Sequence, residues 1–353
     1  VTDRGDILAR ASELGADLSE GGAVVVVRAH HYAPADDDWR ARVLAPLGAL
    51  YAAATARRLA RGRPWQPPVP VICVGNLSAG GTGKTPTVIA LAERLAARGA
   101  RVAVVSRGYG GSLPGPVRVD PAVHDAGMVG DEPLLLSAFA ATYVARSRRA
   151  GVEAAAADGA GVVLFDDGFQ NPEVAKALSI VVADAAQGFG NGRCLPAGPL
   201  REPVSVGLKR ADFVLTIGPE PAQTLFDREW GDAVPCPRLK GALQPLPTGM
   251  DWQGLRAVAF AGIGQPQKFF ATLAGLGADV VRSHAFDDHQ PFSTAVLHRL
   301  ETEAAAQGAQ LVTTEKDAAR LPAAFRGRVL VLPVRLELDD WSALDAAFAH
   351  LSL

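Results

Sequence analysis

The sequence has few cysteines and no long apolar run, and these two deficits exclude several classes of protein. Its three cysteines, Cys73, Cys194 and Cys236, lie far apart and form no CxxC pair. Neither a disulfide framework nor a zinc ribbon is therefore indicated, and a reducing compartment fits best. No apolar stretch approaches the roughly 18 residues that a membrane-spanning helix needs.

A strong net charge and a recognisable leader are also missing. The net charge is −2, so the molecule as a whole does not attract polyanions, and we predict no nucleic-acid partner. The first twenty residues are acidic and lack the basic start and apolar core of a signal peptide. With 48% hydrophobic and 20% charged residues over 353 positions, the composition predicts a folded protein of two domains.

Residues 39–61 combine an apolar stripe with basic charge only. Bulky apolar residues recur there at helical spacing, namely Trp39, Val43, Leu47, Leu50, Tyr51 and Ala54. All the charged residues are arginine: Arg40, Arg42, Arg57, Arg58 and Arg61. The pattern predicts an amphipathic helix, with a kink or a break into two helices at Pro46 and Gly48. It fits a helix in an anionic membrane interface and, equally, a helix packed on its own domain.

From residue 69 onward, short β-branched runs alternate with Ala/Leu-rich helical segments. This alternation predicts an α/β fold, with a P-loop NTPase-like parallel sheet domain and a second, smaller α/β domain. We divide the chain into an extension whose order the sequence leaves open (1–38), the amphipathic helix (39–63), the P-loop domain (64–234), a Pro/Gly-rich linker (235–254) and the smaller domain (255–353).

A glycine-rich segment between a predicted strand and a predicted helix matches a phosphate-binding loop. The pattern GxxxxGK[ST] is met except at its first glycine, and its residues are Ser78, Ala79, Gly80, Gly81, Thr82, Gly83, Lys84 and Thr85. Backbone N–H groups of such a loop converge on phosphate oxygens. Lys84 is predicted to reach the β- and γ-phosphates and the Thr85 hydroxyl to bind Mg²⁺. The alternative is a glycine turn that binds no ligand.

An acid pair ends another predicted strand, "GVVLFDD". Asp166 and Asp167 are candidates for the magnesium side of the nucleotide site, because ligands bind at the carboxyl ends of strands in open α/β sheets. The alternative is a capping aspartate in a strand-to-helix turn. Membrane-associated partitioning ATPases carry a second lysine early in the loop, and Ala79 occupies that position here. This difference disfavours a nucleotide-dependent membrane switch.

Eight motifs in order resemble the tetraacyldisaccharide 4'-kinase (lipid A 4'-kinase) family between about Trp39 and Leu336. They are "GNLSAGGTGKTP", "SRGYGG", "GDEP", "DDGFQ", "GFGNGRCLPAGPLREP", "AGIGQPQKFF", "FDDHQPF" and "TTEKDAARL". The resemblance implies transfer of the γ-phosphate of ATP, with Mg²⁺, to the 4'-hydroxyl of a tetraacylated glucosamine disaccharide 1-phosphate. It also implies a peripheral enzyme on the cytoplasmic face of the bacterial inner membrane, whose partners are this acylated lipid and the anionic membrane surface. No protein partner is implied. The resemblance favours the membrane interpretation of residues 39–61.

The same resemblance assigns catalytic roles to two residues in different predicted domains. Asp131, in "GDEP", matches the aspartate that takes the proton of the sugar hydroxyl, and His289, in "FDDHQPF", matches the histidine paired with it. The two residues would then meet in a cleft that domain closure completes. From the residues alone, Asp131 is equally a helix N-cap and His289 equally an ordinary loop histidine.

Further site residues follow from the resemblance as a group. Metal contacts are implied for Glu202, Asp166, Asp167 and Gln170, although a structural salt bridge to Arg201 or Arg193 is the alternative for Glu202. Arg107 and Tyr109 are expected to face the nucleotide or the substrate phosphate, and arginine is the better phosphate ligand. Glu315, Lys316 and Asp317 are expected to cap a helix.

Two positions depart from the family pattern, which has histidine at both. Asn171 ends "DDGFQN", and Gln290 follows His289. Gln290 leaves one histidine where relatives often have two, and we assign the pairing with Asp131 to His289. Besides the membrane switch, a soluble small-molecule kinase of the same architecture stays open as an alternative that would not need the basic helix.

Overall fold

A computed structural model describes residues 39–353, and within them thirteen strands form two sheets. The predicted extension, 1–38, lies outside the described residues. The strands are β1 (Val71–Gly75), β2 (Val102–Ser106), β3 (Val117–Arg118), β4 (Ala141–Val144), β5 (Val162–Asp166), β6 (Leu178–Asp184), β7 (Phe213–Ile217), β8 (Arg238–Pro245), β9 (Arg256–Ala261), β10 (Asp279–Ala285), β11 (Gln310–Thr314), β12 (Val329–Leu332) and β13 (Val334–Leu338).

Helices connect most of these strands. They are α1 (Trp39–Arg61), α2 (Lys84–Ala97), α3 (Ala126–Val129), α4 (Asp131–Leu136), α5 (Arg148–Ala157), α6 (Val204–Gly207), α7 (Glu220–Trp230), α8 (Pro266–Gly275), α9 (Thr294–Ala306), α10 (Glu315–Ala319), α11 (Ala323–Arg326) and α12 (Ser342–His350). The predicted α/β class, with a large and a smaller sheet, is confirmed.

The large sheet has nine strands in the order β13-β8-β7-β6-β1-β5-β2-β4-β3. All neighbours are parallel except at the two edges, where β13 and β3 are antiparallel to their neighbours. Strands β1, β5, β6 and β7 are buried along their whole length. Ile72 and Val74 of β1 enter one hydrophobic cluster, whereas Val71 and Cys73 enter another. Both faces are therefore covered, as the continuous β-branched runs predict.

The small sheet has four parallel strands in the order β10-β9-β11-β12. Helix α8 covers one face with Phe269, Phe270 and Leu273, and helix α9 covers the other with Leu297 and Leu300. Each face thus has its own small apolar core.

The predicted division of the chain needs correction at the linker and at the C-terminal end. Within the supposed linker, 235–254, residues Arg238–Pro245 form β8 of the large sheet. The chain also returns to that sheet, because β13 pairs with β8 and helix α12 packs Leu344 and Phe348 into the large core. The small unit therefore spans about β9 to β12 rather than 255–353.

Proline explains why the return was missed. The sequence shows one apolar run, "RVLVLPV", but Pro333 separates β12 from β13. Since proline has no N–H to donate to a ladder, it ends pairing in one sheet and allows the chain to enter the other. The Pro333 carbonyl accepts a hydrogen bond from the Leu246 amide (2.9 Å). This bond joins the two places where the chain passes from one unit to the other.

Helix α1 is a single helix with Pro46 inside it, so of the two forms predicted at Pro46 and Gly48, a kink or a break, the break does not occur. Its buried face consists of small residues, Ala41, Gly48 and Thr55. Gly48 permits close packing, because a Cβ there would lie 2.7 Å from the Cys194 carbonyl oxygen.

The predicted apolar stripe of α1 points away from the protein. Its exposed members are Trp39, Val43, Leu47, Leu50 and Tyr51. One face of α1 therefore packs on the body, as one of the two interpretations expects, and the other presents apolar side chains outward; the membrane interpretation stays a prediction. Among the helices of residues 39–353, none has the length and apolar character required to span a bilayer.

Candidate active site

The glycine-rich loop lies between β1 and α2, as predicted. Gly83 caps α2 with φ 92°, and Gly80 has φ 116°, and both values lie in the left-handed region that favours glycine. Lys84 and Thr85 form the first turn of the helix, which is where a phosphate-binding loop places its lysine and hydroxyl.

Three hydrogen bonds that the sequence did not predict hold this loop in shape. The buried Asn76 side chain donates to the Gly80 carbonyl (3.4 Å) and to the Thr82 hydroxyl (3.2 Å). From outside, the Ala79 amide donates to the Pro199 carbonyl (2.7 Å). Asn76 belongs to the loop motif quoted from the sequence, so the sequence contained the residue but did not indicate its hydrogen bonds. The contact to Pro199 depends on a segment far along the chain.

The acid pair ends β5, the immediate neighbour of β1 in the sheet. Asp166 is buried and accepts a hydrogen bond from the Ser106 hydroxyl (3.1 Å) at the end of β2. Burial, followed by the charges of Glu132 and Asp167, raises the pKa of Asp166 to about 7. A buried carboxyl whose ionised form is disfavoured in this way is suited to a cation.

Asp167 differs from its neighbour in conformation and charge. It has φ 54°, which aspartate tolerates better than most residues. Although burial alone would raise its pKa, the charges of Lys84 and Arg201 lower the pKa of Asp167 to about 2. Arg201 donates to both carboxylate oxygens, at 2.9 and 3.0 Å. Asp167 is therefore ionised at neutral pH.

The contacts of Glu202 fit a structural salt bridge, the alternative left open by the sequence, better than a metal ligand. Arg210 donates to both of its carboxylate oxygens at 2.8 Å, and Gln170 donates to one of them at 3.0 Å. The predicted salt bridge exists, but its partner is Arg210 rather than Arg201 or Arg193. Gln170 also donates to the Asn76 carbonyl (2.9 Å), so Glu202 and Gln170 support the phosphate loop from behind.

Asp131 and His289 meet across the two units, although 158 positions separate them. Asp131 is the first residue of α4, and His289 follows β10 with φ 65°. The ring Nδ1 of His289 lies 3.0 Å from Asp131 Oδ2. Burial favours a higher pKa for Asp131, but the hydrogen bond from His289, together with the charges of Arg320 and Lys316, lowers that pKa.

Sequence reasoning missed two cations at this pair, Arg320 and Lys316. Arg320 is buried and approaches Asp131 Oδ2 at 3.5 Å, and it also donates to the Gly262 carbonyl. Lys316 contacts Glu132, Asp288 and His289. In the "TTEKDAARL" motif a helix does begin, but its cap is Thr314, whose hydroxyl accepts from the Asp317 amide; Glu315, Lys316 and Asp317, predicted to cap it, lie inside its first turn. The prediction that this motif only caps a helix gave no role at the site to Lys316 and Arg320.

The small unit also touches the phosphate loop directly. A Cβ placed at Gly264 would lie 3.4 Å from the Gly81 nitrogen. Nearby, Lys268 forms an ion pair with Asp184 at the end of β6, and the side-chain Nε2 of Gln265 donates to the same oxygen (3.2 Å). The two units are therefore already in contact around the site.

The structure also gives positions for Arg107 and Tyr109 and for the two departures from the family pattern, Asn171 and Gln290. Arg107 follows β2 and is exposed at the carboxyl edge of the sheet. Tyr109 packs its ring edge-on against that of His289, with centroids 5.5 Å apart. At the two departures, Asn171 accepts from the Glu173 amide and Gln290 accepts from the Asp287 amide, so both stabilise local turns.

The donor set around the loop fits magnesium. Thr85, Asp166 and Asp167 offer hydroxyl and carboxylate oxygens, the hard ligands that Mg²⁺ prefers. Among residues 39–353, no group of three or more His, Cys, Asp or Glu side chains is arranged to hold a metal alone. Mg²⁺ is usually held by one or two carboxylates together with substrate phosphates. Two carboxylates beside a phosphate loop agree with this mode of binding.

Comparison with known proteins identifies similar sequences and a similar solved structure. The family model described as tetraacyldisaccharide-1-P 4'-kinase matches residues 40–352. A tetraacyldisaccharide 4'-kinase from Dinoroseobacter shibae is 66% identical over 322 residues, which cover 91% of this chain and 96% of that protein. One from Jannaschia sp. is 60% identical and covers 86% and 93%. The crystal structure of LpxK from Aquifex aeolicus in complex with ATP matches with TM-score 0.70 and 26% identity, covering 88% of this chain and 99% of that one.

Proposed function

The chain belongs to the tetraacyldisaccharide 4'-kinase family, and from this premise we propose that it transfers the γ-phosphate of ATP to the 4'-hydroxyl of a tetraacylated glucosamine disaccharide 1-phosphate. The products are ADP and the disaccharide bisphosphate. One observation carries the assignment of the site: Asp131 is paired with His289 at the start of α4, a helix that contacts α2 of the phosphate loop.

Asp131 is the proposed general base. Its lowered pKa keeps the carboxylate ionised at neutral pH, ready to accept a proton. His289 and Arg320 both engage Oδ2, and Oδ1 has no hydrogen-bond partner among the described residues. We assign Oδ1 to the 4'-hydroxyl. The proton of that hydroxyl passes to Asp131, and the hydroxyl oxygen forms a bond to the γ-phosphorus. The bond between that phosphorus and the bridging oxygen of ADP breaks.

The loop around Lys84 is the proposed phosphate cradle, formed by Ser78, Ala79, Gly80, Gly81, Thr82, Gly83, Lys84 and Thr85. Lys84 would neutralise charge on the β- and γ-phosphates, and Arg107, which follows β2, would contact a phosphate. Thr85, Asp166 and Asp167 would hold Mg²⁺, which supplies charge neutralisation when bound. We assign Glu202 and Gln170 to supporting the loop, since the Glu202 carboxylate is buried and Gln170 links it to the Asn76 carbonyl.

Helix α1 is the proposed contact with the membrane. A substrate with four acyl chains leaves a bilayer only at high cost, about 0.8 kcal/mol for each CH₂ withdrawn. The enzyme must therefore reach the lipid at the membrane surface. The outward apolar stripe of α1, with arginines in its last turn, suits an anionic interface. We propose a peripheral position on the cytoplasmic face of the bacterial inner membrane.

A nucleotide-dependent membrane ATPase without a phosphoryl acceptor is disfavoured. The family match argues for a kinase, and Ala79 replaces the second loop lysine that partitioning ATPases carry.

The test is an acceptor assay with the full chain, Mg-ATP and a detergent-dispersed tetraacyldisaccharide 1-phosphate. We expect one bisphosphate for each ADP formed, whereas an ATPase switch would release ADP without that product. Asp131→Asn should lower turnover by roughly 10²–10⁴, the usual worth of a general base. Asp125→Asn is the matched control, because Asp125 only caps the short helix α3 and asparagine caps equally well. Full turnover in Asp131→Asn would remove Asp131 from the role of base.

A further inference from the structure

Lys316 occupies a largely buried position between the two units, on the first turn of α10. Its ammonium has three neighbours at hydrogen-bond distance: Glu132 Oε1 at 3.3 Å, Asp288 Oδ1 at 3.2 Å and His289 Nε2 at 3.2 Å. Burial by itself would lower the pKa of Lys316, but the charges of Glu132 and Asp288 outweigh it and raise that pKa. The side chain is therefore an ammonium at any physiological pH.

An ammonium has three hydrogens to donate and no lone pair with which to accept. Lys316 has three acceptors for its three hydrogens, and one of them is the Nε2 of His289. That ring nitrogen can take part in the contact only with its lone pair, so it carries no hydrogen. The other possible partner of Nε2, Asp288 Oδ1, is 3.7 Å away, which is too long for a hydrogen bond.

The second ring nitrogen completes the assignment. In a neutral imidazole one nitrogen carries the hydrogen and the other accepts. With Nε2 accepting from Lys316, Nδ1 carries the hydrogen and donates it to Asp131 Oδ2 at 3.0 Å. We propose that Lys316 is a positioning residue for the kinase reaction, and that it holds His289 neutral, as the Nδ1–H tautomer, so that Asp131 remains an available base.

The mechanistic part of this inference rests on the proposed function, but the tautomer does not. Charged and titratable groups face His289 from both units: Asp131 from α4, Asp288 beside it in the loop, Lys316 from α10 and the Tyr109 ring. Without the ammonium, the imidazole would lie between two carboxylates that both favour its protonated form. A protonated His289 would donate more strongly to Asp131 and weaken that carboxylate as a base.

The first test is nuclear magnetic resonance of the full chain labelled with ¹⁵N-histidine, in which protonated and unprotonated ring nitrogens give well-separated signals. His289→Gln identifies the signals of this ring. At neutral pH we expect a protonated Nδ1 and an unprotonated Nε2 in the unmodified protein, and a protonated Nε2 in Lys316→Met. An Nε2–H tautomer or an imidazolium in the unmodified protein would overturn the proposal. This readout needs no activity, so it stays informative if the acceptor assay fails.

The second test is the pH dependence of kcat/KM with the lipid acceptor. Lys316→Met should show an acid limb that falls about tenfold for each pH unit and that the unmodified enzyme lacks. Lys316→Arg keeps a donor-only cation and should restore the profile of the unmodified enzyme. The matched control is Lys268→Met, which breaks another ion pair between the units, with Asp184, away from His289. If Lys316→Met lowered kcat/KM equally at every pH, as a merely structural contact would, the positioning role would be refuted.

Discussion

Replacing Leu47 and Leu50 by serine tests whether the outward face of α1 binds the membrane surface. In the folded protein 54% of Leu47 and 68% of Leu50 are exposed to solvent. These side chains contribute little to the packing of the body, so their loss should leave the free energy of unfolding almost unchanged. If they enter a bilayer interface instead, that exposed surface becomes buried only when the protein is bound.

The exposed fractions set the size of the effect. Complete burial of a leucine side chain is worth about 2 kcal/mol. The two exposed portions together therefore correspond to about 2.4 kcal/mol, or a roughly 60-fold weaker partition of the double variant into vesicles.

Binding is measured by sedimentation of the full chain with vesicles containing anionic lipid, and stability by thermal unfolding. Two single variants make a matched pair, because Val43 is 66% exposed on α1 and Val123 is 67% exposed elsewhere on the surface. Val43→Ser should weaken vesicle binding and Val123→Ser should not. Unchanged vesicle binding by the double variant would refute the assignment of this face. A melting temperature lowered by several degrees would instead mean that the leucines are part of the core.

Two further predictions concern a buried acid and a close contact. Burial raises the pKa of Asp166 from 3.8 to about 7, so the folded protein holds this proton more tightly than the unfolded chain and loses stability as the pH rises between these values. Without Mg²⁺, Asp166→Asn should be more stable than the unmodified protein above pH 7 in urea unfolding, with the difference vanishing near about pH 4; a constant difference would contradict the raised pKa. Gly48→Ala should cost about 1–3 kcal/mol of stability, because its Cβ would meet the Cys194 carbonyl oxygen at 2.7 Å. Gly275→Ala, whose Cβ would meet nothing within 4 Å, is its control, and equal melting temperatures for the two variants would contradict the close packing.

Local pattern was enough to predict the central strands of the large sheet (β7, β6, β1, β5 and β2) and the phosphate loop. The loop needs glycine at positions such as Gly83, whose φ is positive, and lysine at the start of the next helix. Those requirements concern neighbours in the chain, so they appear as a short motif. The acid pair follows the same logic, since Asp166 ends a strand whose β-branched run is visible in the sequence.

Pairing between distant segments had no such signal. Nothing near Lys316 or Arg320 in the sequence indicates that they lie beside Asp131, because that contact depends on how the small unit rests on the large one. The partner of Glu202 was missed for the same reason: Arg201 and Arg193 were considered from the sequence, and only the folded loop brings Arg210 against both oxygens. Likewise, the return of β13 to the large sheet is a matter of strand order.

The sequence by itself therefore determined the α/β class, the phosphate loop and, through ordered motifs, the family. Only the tertiary structure decided which face of α1 is exposed, where the chain crosses between the sheets and which cations surround the Asp131–His289 pair. The physical reason is range: backbone conformation and burial periodicity depend on neighbours in the chain, whereas an ion pair or a sheet edge depends on groups that approach each other only after folding.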